Sequence, residues 1–150
     1  MLTEKDYCDY DTCVALKELG YNRGAYAYYF PNHKEDLIFN SHQMRGCSIN
    51  EMLKGYNTYP KDVMGHQLID APTMWEAQKW LREEKKIHVE VHIAFNKYFY
   101  ELFKTDEYDK HCGIQKVLVL GTNGYESHEE ALLEGIKEAV KILKETNNGN

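Results

Sequence analysis

Hydrophobic and polar positions alternate with strand periodicity in the middle of the second half of the chain. Residues 87–93 switch between aliphatic and polar side chains at every step, which is typical of a half-buried β-strand over 87–94. A turn at Asn96 and Lys97 would fold the next segment back, because Asn tolerates the positive φ that tight hairpin turns need. In that register His92 lies opposite Glu101 on the polar face. The pattern therefore predicts a β-hairpin.

Two amphipathic helices flank this hairpin. Residues 74–85 and 128–145 both repeat apolar side chains at three- and four-residue spacing, which places them on one helical face. Each segment follows a capping box, in which a hydroxyl residue and a glutamate three positions later satisfy free backbone amides. Thr73 and Ser127 are the two hydroxyl residues. The pattern predicts one helix on each side of the hairpin.

A shorter helix is predicted near the start of the chain, over residues 11–19. Asp9 or Asp11 can cap it, because a short side-chain oxygen accepts hydrogen bonds from the amides of the first turn. Gly20 is suited to the left-handed conformation that ends many helices. The first unit of structure is therefore expected to begin with a helix of about two turns.

Aromatic residues at 25–30 and an apolar segment at 36–40 predict a first hairpin around a turn at 31–35. Residues 41–70 are interpreted as an insertion. It contains a short helix after a capping box at Ser48 and then a long loop.

The segment 114–120 is almost wholly apolar after Lys116, which favours a central strand covered on both faces. The elements then follow the order α-β-β-α-α-β-β-β-α. Because helices do not separate the strands one by one, the order favours the α+β class. We expect one antiparallel sheet of about five strands with helices on one face. The length of 150 residues favours a single domain over 1–150, with a disordered tail at 146–150.

The charge and composition narrow the function classes. The net charge of −6 disfavours binding to nucleic acid, and no apolar run is long enough for a membrane span. Without a secretory signal pattern at the start, a cytosolic protein with free thiols is expected. Twelve tyrosines are present, and this residue suits interfaces. We therefore predict self-association or protein binding through the strand that carries Tyr26, Tyr28 and Tyr29. A further hypothesis is that the aromatic side chains of this strand stack on nucleotide bases.

Several local motifs carry a resemblance. They are Ala71-Pro72-Thr73, Lys79-Trp80-Leu81-Arg82-Glu83, Ile87-His88-Val89-Glu90-Val91, Tyr125-Glu126-Ser127, Glu129-Glu130-Ala131-Leu132 and Gly135-Ile136. With these motifs, about half of the chain resembles a loose set of uncharacterised small proteins encoded by gut bacteria, their prophages and mobile elements. The shared positions are helix caps and core faces. The resemblance implies an accessory role in a phage or mobile element, and it implies no particular chemistry.

The polar face of the predicted hairpin supplies a candidate metal site. His88, Glu90 and His92 alternate on one strand, about 6.6 Å apart, and Glu101 lies across from them. Two imidazoles and a carboxylate can hold Zn²⁺ or Fe²⁺ with positions open for substrate. The alternative function is therefore a metal-assisted hydrolase. The competing interpretation is a solvent-facing strand with a cross-strand pair.

Two cysteine groupings complete the candidates. A structural zinc site would use Cys8, Cys13, His111 and Cys112, although this spacing is loose for zinc and Cys13 falls where a helix needs an apolar residue. A nucleophilic Cys47 would stand before a helix N-terminus that stabilises a thiolate, with His42 and His66 nearby in sequence. Neither motif has the spacing of an established catalytic site, so the residues favour a binding protein without a cofactor over an enzyme.

Overall fold

The computed structural model describes residues 2–31, 34–39 and 68–149. The chain divides into two compact units, Met1–Thr73 and Met74–Asn150, which are described separately. The predicted short helix after Ser48 and the candidate residues Cys47, His42 and His66 lie outside the described residues. The prediction of a single domain stays a prediction.

Short elements form the first unit. A 3₁₀ helix, Glu4–Asp6, precedes helix α1, Tyr10–Glu18, and the strands are β1 (Ala27–Tyr29), β2 (Ile38–Phe39) and β3 (Ile69–Ala71). The sheet is antiparallel in the order β2-β1-β3. The first hairpin is thus confirmed, but the third strand begins at Ile69, within the segment predicted as a loop.

Helix α1 begins and ends one residue earlier than the sequence predicts. The Asp9 carboxylate accepts a hydrogen bond from the Thr12 amide at 3.0 Å, which identifies Asp9 as the N-cap. Gly20 follows the helix with a φ of 95°, a conformation that costs glycine little. Leu16 is buried on the inner face of the helix. The cap and the stop therefore delimit a nine-residue helix.

The second unit contains longer elements. Helix α2 spans Met74–Glu84, and the strands β4 (Ile87–Ala94), β5 (Lys97–Tyr108) and β6 (Gln115–Leu120) precede helix α3, His128–Asn148. Its sheet is antiparallel in the order β4-β5-β6. The α+β class is therefore confirmed. The expectation of about five strands in one sheet is wrong, because the described strands pair within two separate sheets of three.

Helix α3 packs closely against the sheet of the second unit. The Ser127 hydroxyl accepts a hydrogen bond from the Glu130 amide at 3.1 Å, so Ser127 is the predicted N-cap. The helix continues to Asn148, three residues beyond the predicted end. A Cβ placed on Gly135 would lie 2.5 Å from Cγ1 of Val89, so only glycine fits this approach. The buried residues of α3 are Ala131, Leu132, Gly135, Ile136, Ala139 and Val140.

The second hairpin forms, but its turn lies one residue earlier than predicted. Phe95 and Asn96 occupy the two turn positions, and both have positive φ, at 50° and 58°. A tight turn that follows the strand twist needs positive φ at both central residues. The sequence prediction placed Asn96 and Lys97 at these two positions. As a consequence His92 lies opposite Phe99, and Glu101 lies opposite Glu90.

Strand β6 is not the covered central strand that its composition predicts. It pairs with β5 alone among the described strands, so it forms an edge of the sheet. Val117 and Leu120 are exposed, at 41% and 60%, and so is Ile114 just before the strand, at 61%. An apolar run indicates a strand but does not say whether a second strand will pair with it.

Candidate functional site

The polar face of the second hairpin brings all four candidate metal ligands onto one surface. His88, Glu90 and His92 alternate along β4, and Glu101 lies on β5 directly opposite Glu90. Two carboxylates in opposite positions repel each other. Each carboxylate contacts a different histidine, which offsets this repulsion when the imidazole is protonated.

The four side chains form two separate pairs. His88 Nε2 and Glu90 Oε2 are 2.8 Å apart, within hydrogen-bonding distance. His92 Nδ1 and Glu101 Oε1 are 3.9 Å apart, at the limit of an ion pair. Across 2–31, 34–39 and 68–149, no three His, Cys, Asp or Glu side chains come together in a group that could hold a metal ion. The metal-assisted hydrolase stays a prediction that this geometry does not favour.

An aromatic ring covers part of the same face. The imidazole of His92 stacks on the ring of Phe99, with centroids 5.7 Å apart and planes at 16°. Phe103 lies opposite His88 on the neighbouring strand. Because stacked and paired imidazoles are held in place by packing, this arrangement is typical of a structural polar surface.

The cysteines of the predicted zinc site are found in contrasting environments. In the first unit Cys8 and Cys13 are buried, and Cys13 Sγ donates to the Cys8 carbonyl at 3.4 Å. Burial raises the pKa of the Cys13 thiol, which therefore stays protonated. In the second unit His111 and Cys112 lie in an exposed turn. The zinc site stays a prediction, and the buried thiols behave as small apolar side chains.

The tyrosines of the predicted interface differ in exposure. Tyr29 is buried, and its hydroxyl donates to the Cys8 carbonyl at 3.2 Å. Tyr26 is half-buried, and Tyr28 packs with Phe30 against the buried Leu68. Tyr29 therefore offers a partner little surface, whereas Tyr26 and Tyr28 stay predicted interface residues.

Exposed apolar side chains concentrate in the second unit, and some of them belong to the segment 114–120 that the sequence predicted to be covered. Phe95 at the hairpin tip is 96% exposed and Ile93 beside it is 64% exposed. A separate group of exposed apolar side chains lies at and before β6, on the other edge of the sheet. We call this group the apolar edge and define it by Ile114, Val117 and Leu120. The exposure of these side chains depends on how β6 pairs with β5. This pairing involves residues distant in sequence, so a local sequence pattern does not reveal it.

The two edges of this sheet have different backbone environments. On β4, the carbonyl of Val89 accepts a hydrogen bond from the Gln78 side chain of α2 at 2.7 Å. On β6, none of the described strands pairs on the side away from β5. An uncovered strand edge is a template for pairing with another chain.

A cleft of about 430 Å³ lies at the end of the β5–β6 pair. Lys116 Nζ donates to Glu107 Oε2 there at 2.8 Å, and this hydrogen bond raises the pKa of Lys116. The ammonium group is thus neutralised within the same chain. The cleft is lined by Glu107, Tyr108, Asp109, Cys112, Ile114, Gln115 and Lys116.

Comparison with protein-family models, with curated proteins and with solved structures finds no match for this chain. None of the helices among the described residues has the length and apolar character needed to cross a bilayer.

Proposed function

We propose that this protein works by binding proteins, including a second copy of itself, through the exposed apolar surface of its second unit. The observation that carries the proposal is the apolar edge, where Ile114, Val117 and Leu120 are exposed beside an open strand. Apolar side chains that cluster on a surface cost free energy in water, and such clusters commonly mark interaction sites.

The remaining parts of the proposal extend the same function. A cytosolic location is part of the proposal because Cys8, Cys13 and Cys112 are free thiols. An accessory role in a phage or mobile element is what the resemblance implies. Tyr26 and Tyr28 are proposed as further contact residues of the first unit.

Sedimentation velocity of the reduced wild-type protein, across a wide range of concentrations, tests self-association. We expect a sedimentation coefficient that rises with concentration, because apolar surface is buried as copies associate. A coefficient of a monomer at every concentration would contradict self-association.

A further inference from the structure

Helix α3 covers one face of the sheet in the second unit. A Cβ on Gly135 would meet the side chains of Val89 and Tyr100, so these two residues point toward the helix. Because side chains alternate along a strand, their neighbours Glu90 and Glu101 point to the other face. We call this other face the open face. On β4 and β5 it consists of His88, Glu90, His92, Phe99, Glu101 and Phe103.

Strand β6 adds aliphatic side chains to the open face. Leu120 lies opposite Glu101, and Val117 lies opposite Phe103. The pairing skips one residue between Val117 and Val119, so Val117 and Leu120 share this face although they are three positions apart. Both side chains are exposed. Glu101 therefore has a carboxylate on one side and an exposed aliphatic side chain on the other.

The two carboxylates at the centre of the open face lack a cationic partner. Directly opposite residues have Cβ atoms about 5 Å apart, so Glu90 and Glu101 repel each other. The described residues give them ion pairs with histidines alone, and with no lysine or arginine. Lys97, which shares this face of β5, is paired with Glu126.

The histidines compensate this charge incompletely. Nδ1 of His88 is buried and has no hydrogen-bond partner among the described residues, so a proton there would lack an acceptor. The proton therefore lies on Nε2, which donates to Glu90. A neutral imidazole supplies this hydrogen bond but no positive charge. His92 Nδ1 is 3.9 Å from Glu101 Oε1, which is longer than a hydrogen bond.

We propose that the open face binds an arginine side chain of a partner protein, with the guanidinium group between Glu90 and Glu101. Apolar residues of the same partner segment then cover Val117 and Leu120. This inference rests on the proposed function, because it names the chemistry of the protein that the second unit binds.

The groups on the open face favour a guanidinium group over an ammonium group. A guanidinium group carries several N–H donors in one plane and can bond two carboxylates at once. Its flat surface also stacks on aromatic rings. Phe99 and Phe103 are the side chains next to Glu101 on this face of β5, and both are half-buried. The net charge of −6 also favours encounter with a cationic partner.

A synthetic pentapeptide, acetyl-Leu-Thr-Arg-Thr-Leu-amide, provides the probe, because its arginine and leucines share one side when it is extended. Titration into isotope-labelled protein, followed by NMR, should shift the amide signals of Glu90, Phe99 and Glu101. Two matched peptides carry lysine or uncharged citrulline in place of arginine. We expect each replacement to raise the dissociation constant, and citrulline to raise it by about tenfold.

The complementary change is made in the protein. Glu90→Gln combined with Glu101→Gln removes both charges and preserves the side-chain shape. This double variant should bind the arginine peptide about tenfold more weakly, and the citrulline peptide unchanged. Glu145→Gln is the control, because it removes the same charge from an exposed position on α3. The NMR spectra of the free variants verify that they fold.

The outcomes separate this inference from self-association. If all three peptides bind equally, or if the double variant binds the arginine peptide as the wild type does, apolar contact alone explains binding and the arginine site is wrong. A peptide that shifts no signal of the open face also overturns it. Sedimentation of the wild type tests self-association without any peptide, so either proposal can fail while the other stands.

Discussion

The two units bury their cores by different means. In the first unit, the strands have only two or three residues each, and hydrogen bonds from buried side chains to backbone carbonyls supplement their pairing. Tyr29 and Cys13 both donate to the Cys8 carbonyl, and Tyr21 donates to the Gly24 carbonyl at 3.2 Å. In the second unit, a 21-residue helix packs against a long hairpin. The stability of the first unit should thus depend more on polar contacts. The stability of the second unit should depend more on the close approach of its helix to its sheet.

The tryptophans allow the two units to be followed separately. The chain has two tryptophans, Trp75 and Trp80, and both lie in α2 of the second unit. Tryptophan fluorescence therefore reports unfolding of the second unit, whereas far-UV circular dichroism reports helices and strands of both.

The largest expected effect is the loss of close packing in the second unit. Gly135→Val would force branched carbon atoms into the space that Val89 and Tyr100 occupy. We expect the free energy of unfolding to fall by about 3 kcal/mol, as overpacked cores do. Denaturant titration followed by tryptophan fluorescence measures this change.

Gly113→Ala serves as the control for that prediction. Gly113 has a φ of 69° but nothing near its Cβ position, so alanine there introduces only backbone strain. We expect a loss of about 1 kcal/mol. If Gly135→Val and Gly113→Ala lower the free energy of unfolding equally, close packing of the helix on the sheet does not determine the stability of the second unit.

Alkaline pH should destabilise the first unit before the second. Burial raises the pKa values of Cys13 and Tyr29, so in the unfolded chain these groups lose their protons at lower pH than in the folded chain. Their contribution to stability is present below the unfolded pKa and falls as pH rises above it. For a thiol this decline begins near pH 8.5, whereas Tyr100 of the second unit, whose pKa burial also raises, responds only above about pH 10.

Denaturant titrations between about pH 8.5 and pH 10 measure this difference in alkaline sensitivity between the two units. The transition seen by circular dichroism should shift to lower denaturant, while the fluorescence transition stays in place. Cys13→Ala should reduce the shift. An equal shift of both transitions would contradict the assignment of alkaline sensitivity to the first unit.

Removal of a helix cap should have a smaller effect on stability, and this effect should be similar in the two units. Asp9 caps α1 in the first unit and Ser127 caps α3 in the second. Replacing either by alanine should cost about 1 kcal/mol, since an N-terminal amide loses its acceptor. Ser127→Ala should lower the fluorescence midpoint, whereas Asp9→Ala should change only the circular dichroism transition. A fluorescence shift in Asp9→Ala would contradict this separation.

The smallest expected effect concerns the polar face of the hairpin. His92→Ala should leave the metal content of the purified protein unchanged, because the four polar side chains form separate pairs. Native mass spectrometry without chelator measures this content, with His111→Ala as a control at an exposed turn. A metal adduct that is lost only in His92→Ala would support the hydrolase alternative.

The sequence predicts elements whose signals are local. Caps at Asp9 and Ser127, the stop at Gly20 and the alternation in β4 are all determined within a few residues, and the structure contains each of them. Strand β3 was missed because three residues carry too short a pattern, and it exists by pairing with β1. The division into two sheets also depends on contacts between distant segments.

The candidate sites show the same limit. Alternation correctly places His88, Glu90 and His92 on one face, but the position of the turn decides which residue lies opposite each of them. The positive φ of Phe95 shifts the strand by two residues relative to the prediction and keeps the faces unchanged. The exposure of β6 could not be predicted, because hydrophobicity alone does not distinguish an edge strand from a central one.

The exposed thiol of Cys112 has a practical consequence for any experiment on association. Cys112 lies in the turn three residues before β6, whereas Cys8 and Cys13 are shielded from oxidants. We therefore expect air oxidation of this thiol in two chains to form a disulfide between them, and the linked species has the mass of a dimer. Nonreducing electrophoresis beside a Cys112→Ser variant identifies that species, and fresh reductant removes it from hydrodynamic measurements.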